Sequence, residues 1–199
     1  MQIFSFGLNY AKELKTPNNM YGLVNKSIQN LVETNFGPDK WEAIKLKSGI
    51  DIDYFISTQP YDDSVTFKLA VAASEVLGIS VDEVLVAFGE WWILKTSMEK
   101  YGGLMQAGGN NLKEFLMNLP LFHDRIMMIY PKLTPPEFKI SEVEDNSLVL
   151  HYFSKREGLV SFMRGLLLGL GKLYESPVTL EHTLSKTTGS DHEAFKVSW

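Results

Sequence analysis

The chain has 199 residues, 45% of them hydrophobic and 22% charged, enough apolar content to bury a sizeable core and too much for a disordered segment. Its formal net charge of -5 speaks against nucleic acid or an anionic membrane as partner. Cysteine is absent, which excludes disulfides, thiolate zinc sites, iron–sulfur clusters and covalently attached c-type haem.

The first nineteen residues carry too short an apolar run for a signal peptide, and no stretch reaches membrane-spanning length. The turn cluster Thr16-Pro17-Asn18-Asn19, with Met20 as an alternative start, marks residues 1–19 as an appendage and residues 20–199 as one domain. From Met20, the stripe Leu23, Val24, Ser27, Ile28, Leu31, Val32 predicts a helix that stops at Gly37. Pro38 opens the next one, through Trp41, Ile44 and Leu46. Asp51 to Tyr61 reads as a loop. Asp62 or Asp63 then caps a helix over Val65, Leu69, Ala72, Ala73, Val76 and Leu77 that Gly78 ends. Ser80 and Glu83 form a capping box for a helix crowded with Val84, Leu85, Phe88, Trp91, Trp92 and Leu94.

Leu112, Phe115, Leu116, Leu119, His123, Ile126, Met127 and Tyr130 recur at steps of three and four, one apolar stripe of a helix with a histidine inside it. Pro120 removes a backbone donor and suits a first turn, so a break is expected near Asn118, with a new helix from Leu119 or Pro120 presenting His123. Pro131, Pro135 and Pro136 then make a stiff extended exit. After it the composition changes. Strands are predicted over Phe138–Val143 and Ser147–Ser154 around Glu144-Asp145-Asn146, a helix over Gly158–Tyr174, and strands over Val178–Leu184 and Ala194–Trp199. The fold class is α+β: a helical N-terminal lobe, then a lobe with a four-stranded, largely antiparallel sheet and helices on one face.

An imidazole on a core face needs a hydrogen-bond acceptor or a metal, and both readings of His123 stand on the stripe alone. In the second strand, alternation gives Leu148, Leu150, Tyr152, Ser154 and Arg156 one face, and Val149, His151, Phe153 and Lys155 the other. Tyr152, Ser154 and Arg156 would form a ladder of donors about 6.6 Å apart, ending in a guanidinium that grips a carboxylate. The plain reading is a strand fading into solvent. The other is a site for a ligand with an apolar body and two carboxylates, such as haem b with His123 as its axial nitrogen.

The runs Met20-Tyr-Gly-Leu-Val-Asn-Lys-Ser-Ile and Ala87-Phe-Gly-Glu-Trp-Trp, the pair Phe122-His123, Thr134-Pro-Pro, and Tyr152-x-Ser-x-Arg156 carry a resemblance to the bacterial H-NOX domains, the haem nitric oxide/oxygen binding family. It covers Met20 to Trp199 and looks most like the stand-alone, cyanobacterial-like type. The resemblance implies haem b (iron protoporphyrin IX) between the helical lobe and the sheet lobe. It makes His123 the iron ligand, Tyr152, Ser154 and Arg156 a propionate clamp, and Pro136 a rigid residue against the porphyrin. Trp92, Phe162, Val24 and Ile28 would line the distal side.

The function expected from this likeness is that of a cytoplasmic gas sensor without enzymatic activity. It would bind nitric oxide, with carbon monoxide as a further gas, and signal in trans to a histidine kinase or a cyclic-di-GMP enzyme (diguanylate cyclase or phosphodiesterase), since the chain ends at Trp199. The family's oxygen binders carry a distal tyrosine. Its place here falls on Phe162 or Ser161, which leaves Trp92 and Ser161 as the donors that could hold oxygen. The rivals are a haem enzyme (a peroxidase or nitric oxide-processing) and a non-haem module for lipophilic acids. Gly165, Gly169, Gly171 and Lys172 do not make a phosphate loop, because the spacing is one too long and Leu173 replaces the hydroxyl. His151, Glu181, His182, Asp191 and His192 do not read as a metal site, because alternation turns His151 away from Tyr152 and the set needs several strands aligned.

Overall fold

The computed structural model describes residues 19–129 and 135–199, so most of the predicted appendage, Tyr130, and the start of the proline-rich exit lie outside the described residues. The chain divides into two compact units at Phe88/Gly89.

The first unit opens with strand β1 (Asn19–Tyr21), which pairs antiparallel with β2 (Pro60–Asp62). Helices α1 (Gly22–Phe36), α2 (Pro38–Ser48), α3 (Asp63–Leu77) and the start of α4 (Val81–Trp91) make up the rest. Gly22 permits the close entry of α1: a Cβ there would stand 2.2 Å from the Ile56 carbonyl oxygen. Asp62 is the cap of α3. Its carboxylate accepts from the Ser64 N–H at 2.8 Å, and the Ser64 side chain followed by that backbone N–H holds its pKa below the usual carboxylate range. The Ser80–Glu83 capping box forms as predicted, with the Ser80 N–H donating to Glu83 Oε2 at 2.8 Å and the Glu83 N–H to Ser80 Oγ at 3.2 Å. Val32, Trp41, Ile44, Leu69, Ala73 and Leu85 are buried. Leu46, expected in this core, is 85% exposed, because α2 turns only Trp41 and Ile44 inward.

The second unit carries the sheet. Beyond Trp91 the helix widens into a π-helical segment, Trp92–Ser97, before α5 (Met98–Gly108). Helix α6 (Leu112–Ile129) follows, then β3 (Glu137–Ser141), β4 (Ser147–Phe153), α7 (Val160–Leu173), β5 (Thr179–Leu184) and β6 (Glu193–Ser198). The sheet order is β3-β4-β6-β5, with every pairing antiparallel. One sheet face, with Phe138, Leu148, Leu150, Phe195 and Val197, packs with α6 and α7 through Phe115, Leu116, Leu167 and Leu170 into one core.

The expected break near Asn118 does not occur: α6 runs unbroken through Pro120. Leu116, Leu119 and Ile126 are buried on one stripe spanning the proline. That shared burial, worth about 1.5–3 kcal/mol per large side chain, outweighs the roughly 3 kcal/mol a mid-helix proline costs. Met127, expected in the stripe, is exposed. A cap that sequence reading passed over starts the helix: Asn111 Oδ1 accepts from the Glu114 N–H at 2.9 Å, and Glu114 Oε2 from the Asn110 N–H at 2.8 Å. Farther along, Asn118 Nδ2 donates to the Gly108 carbonyl at 2.9 Å.

Candidate functional site

His123 sits on α6 with its ring folded back along the helix, so that Nδ1–H donates to the Leu119 carbonyl at 3.2 Å. That bond fixes the tautomer. The proton is on Nδ1, and Nε2, which has no hydrogen-bond partner among the described residues, keeps its lone pair. Burial pushes the imidazole pKa down, against the Leu119 carbonyl and the Asp124 carboxylate, which favour the cation. The ring is therefore neutral at pH 7, the form that ligates a metal. It lies against Phe138 at 4.8 Å between centroids and edge-on to Phe122 at 5.8 Å.

Phe138 extends the contact to Tyr152, 5.6 Å away and directly across the β3–β4 ladder. An aromatic row thus runs from the histidine on α6 to the tyrosine on β4. Sequence reading did not single out Phe138. The signal was present, because a hairpin centred on Asp145 sets 138 opposite 152.

Strand β4 ends at Phe153, so alternation does not carry Ser154 and Arg156, and the ladder at strand spacing does not form. A turn gathers the three residues instead. Ser154 Oγ accepts from the Arg156 backbone N–H at 3.0 Å, and the Ser154 carbonyl accepts from Lys186 Nζ at 3.1 Å. The Tyr152 phenol is buried. Burial raises its pKa, while Ser154 and the positive Arg156 pull it down. The phenol stays protonated, and phenol, alcohol and guanidinium together suit a carboxylate. Beside Tyr152 on β6, buried Glu193 takes a 2.7 Å contact from His182 Nε2, a pair with no signal in local sequence.

Pro136 is half-buried immediately before β3. Trp92 opens the π-helical segment and Phe162 lies in the first turn of α7, both half-buried. Gly89 brings their helices together, since a Cβ there would be 2.4 Å from the Phe162 carbonyl oxygen. On α7, Gly169 serves close helix packing, facing Ile93 and Glu90. Lys172 is engaged with the Glu90 carboxylate. Val24 and Ile28 belong to the first unit. Ile28 is 3% exposed and lines an apolar cavity of about 50 Å³ with Val32, Phe36, Ala73 and Phe88.

The protein-family model described as Haem-NO-binding matches residues 21–182. Soluble guanylate cyclase gcy-32 of Caenorhabditis elegans is 32% identical over 165 residues, 81% of this chain and 24% of that protein. Soluble guanylate cyclase gcy-37 of the same organism is 33% identical over 150 residues, 74% of this chain and 21% of that protein. The chain thus spans about a quarter or less of the curated relatives it matches. Among solved structures, a mutant H-NOX protein from K. algicida in the unliganded Fe(II) state is similar with TM-score 0.76 and 25% identity, covering 90% of this chain and 96% of that one. An H-NOX protein from S. oneidensis in the Fe(II)NO ligation state shares the fold with TM-score 0.80 at 19% identity, covering 90% and 98%.

Proposed function

The chain belongs to the haem-NO-binding family, and from that premise we propose that residues 20–199 act as one domain holding haem b and sensing nitric oxide at its ferrous iron. One observation carries the reading: a neutral histidine with its Nδ1 proton committed to Leu119 is joined through Phe138 to the Tyr152–Ser154–Arg156 cluster. His123 would supply the axial nitrogen, and the cluster would take the propionates. The haem supplies an iron centre that binds small diatomic gases. Pro136 would press on the ring from a rigid backbone, and Trp92 and Phe162 would shape the gas side. Val24 and Ile28 would complete the distal side.

Domains of this family are sensors and not catalysts. The matched cyclases carry most of their length outside the shared segment, which supports an output lying outside the described residues. A histidine kinase or cyclic-di-GMP enzyme is the partner we propose. Among the described residues no helix is long and apolar enough to cross a membrane, and we propose a cytoplasmic setting.

Oxygen discriminates the gas. Bound oxygen takes on anionic character and needs a donor, whereas nitric oxide does not, and Phe162 offers no donor where a tyrosine would stand. The purified protein should be red with a Soret band, and nitric oxide should shift that band. Air should give no lasting oxygen-dependent spectrum. An oxygen-dependent Soret shift stable for hours would overturn the selectivity and point to Trp92 or Ser161 as donor. A colourless protein that takes up no haem would overturn the whole reading.

The clamp makes its own prediction. Arg156→Ala should speed haem loss more than Ser154→Ala, because a charge-assisted bond to a carboxylate is roughly twice as strong as a neutral one. Transfer of haem to an excess of apomyoglobin measures both rates. Equal rates would take Arg156 out of the clamp.

A further inference from the structure

On the sheet face turned away from Tyr152, strands β3 and β4 and the bend that enters β6 bring together four polar side chains that the proposed haem site does not use. Ser141 Oγ lies 2.8 Å from His151 Nε2, His151 Nδ1 lies 2.8 Å from His192 Nε2, and His192 Nδ1 lies 2.5 Å from Asp191 Oδ1. The five residues weighed as a metal set from sequence are thus divided. His151, His192 and Asp191 meet here, His182 turns to Glu193 on the core face, and exposed Glu181 joins neither.

Each histidine has its outer nitrogen engaged by an oxygen and its inner nitrogen aimed at the other ring. This is the arrangement of metal-binding imidazoles, whose second nitrogen is held by a carboxylate or hydroxyl that fixes ring orientation. His192 is locked further by Phe153, stacked on it at 4.2 Å with a 19° tilt, and Lys139 Nζ stands over that same Phe153 ring, 4.9 Å from its centroid. Glu142 and Asp191 add negative charge at His151 and His192, and Lys139 opposes them. Burial is the main cause that lowers the His151 pKa, followed by the neighbouring His192.

We propose that His151 and His192 form a surface site for a late first-row divalent cation of the zinc class, bound between Nδ1 of the first and Nε2 of the second. In the metal-free pair one proton is shared across the 2.8 Å gap. His151 Nδ1–H donates to His192 Nε2, Ser141 O–H donates to His151 Nε2, and His192 Nδ1–H donates to Asp191. On metal binding the His151 proton moves to Nε2 and donates to Ser141 Oγ, so this tautomer change releases no net proton. Two nitrogens on a tetrahedral zinc at about 2.0 Å stand roughly 3.3 Å apart, so the rings need part only by about half an ångström. Among the described residues no group of three His, Cys, Asp or Glu side chains converges. Water therefore completes the coordination, and the site is an open one.

The test is zinc added to the purified, haem-loaded protein. Bound metal is counted by elemental analysis after gel filtration, and affinity is read by competition with a chromophoric chelator. One zinc per chain is expected, with affinity falling at least tenfold in His151→Ala and in His192→Ala. Asp191→Asn should fall about tenfold, as loss of a group that orients a ligand does. His182→Ala should bind as the parent does. The more conservative His192→Gln, with an unchanged circular dichroism spectrum, separates loss of a ligand from loss of fold. No stoichiometric zinc, or zinc retained in both histidine variants, overturns the proposal. Since the haem site is on the opposite sheet face, neither result bears on the Soret spectrum.

Discussion

Replacing His123 by glycine is expected to leave a folded protein whose haem spectrum changes and returns when free imidazole is added. Among the described residues the side chain makes one hydrogen bond, to Leu119, and two ring contacts, to Phe122 and Phe138. Deleting it opens a space against two phenylalanines and puts glycine into a helix, together costing roughly 2–4 kcal/mol. That is a large loss, yet the core of α6 rests on Leu112, Phe115, Leu116 and Leu119, each at most 7% exposed. The fold should survive while the nitrogen proposed to hold the iron is gone. Imidazole can enter the space and supply the same neutral nitrogen. Circular dichroism reports the fold and the Soret band reports the ligand. If His123→Gly keeps the parent's ferrous and nitric oxide spectra, with no response to imidazole, another residue ligates the iron.

What sequence could show depended on whether the cause was local. The capping box at Ser80 and Glu83 involves residues three apart, and the hairpin about Glu144–Asn146 is closed by Ser147 bonding back to Glu144, so both were legible. His123 was legible as a histidine in an apolar stripe, and Tyr152 as the end of an apolar strand face. Its clustering with Ser154 and Arg156 was legible in membership and wrong in geometry, because nothing local says that β4 stops at Phe153. Pro120 misled for the opposite reason: its local penalty is plain, whereas the burial that overrides it needs the partner elements. The three-residue pair β1–β2 has too few positions to show alternation, and it joins residues some forty apart in sequence. The π-helical segment has no sequence mark either. It lies where Ile93 meets Gly169 of α7, a contact made across the fold. The His151–His192 pair is likewise cross-strand and could not be read from either neighbourhood.

Gly89→Ala is expected to destabilise the protein although alanine is the better helix former. Exchanging glycine for alanine in a helix interior gains about 1 kcal/mol when space allows. Here a Cβ would lie 2.4 Å from the Phe162 carbonyl oxygen, 2.6 Å from the Leu166 nitrogen and 2.8 Å from the Gly165 carbonyl carbon. All three are backbone atoms of α7, so no rotamer relieves the clash and the helix itself must retreat. Overpacking costs typically 1–3 kcal/mol, occasionally more, and a rigid neighbour places this case at the upper end or beyond. A net loss of about 2 kcal/mol lowers the melting temperature of a domain this size by roughly 4–8 °C. The displacement also moves Phe162 away from the helix turn that leads into Trp92, the two residues proposed for the gas side. Nitric oxide or carbon monoxide binding should therefore change more than haem retention does, since Tyr152, Ser154 and Arg156 lie outside α7. Gly102→Ala is the matched control: nothing stands within 4 Å of its Cβ position, and its melting temperature should hold or rise. A Gly89→Ala protein melting at or above the parent would show that α4 and α7 do not cross as closely as the Gly89 geometry requires.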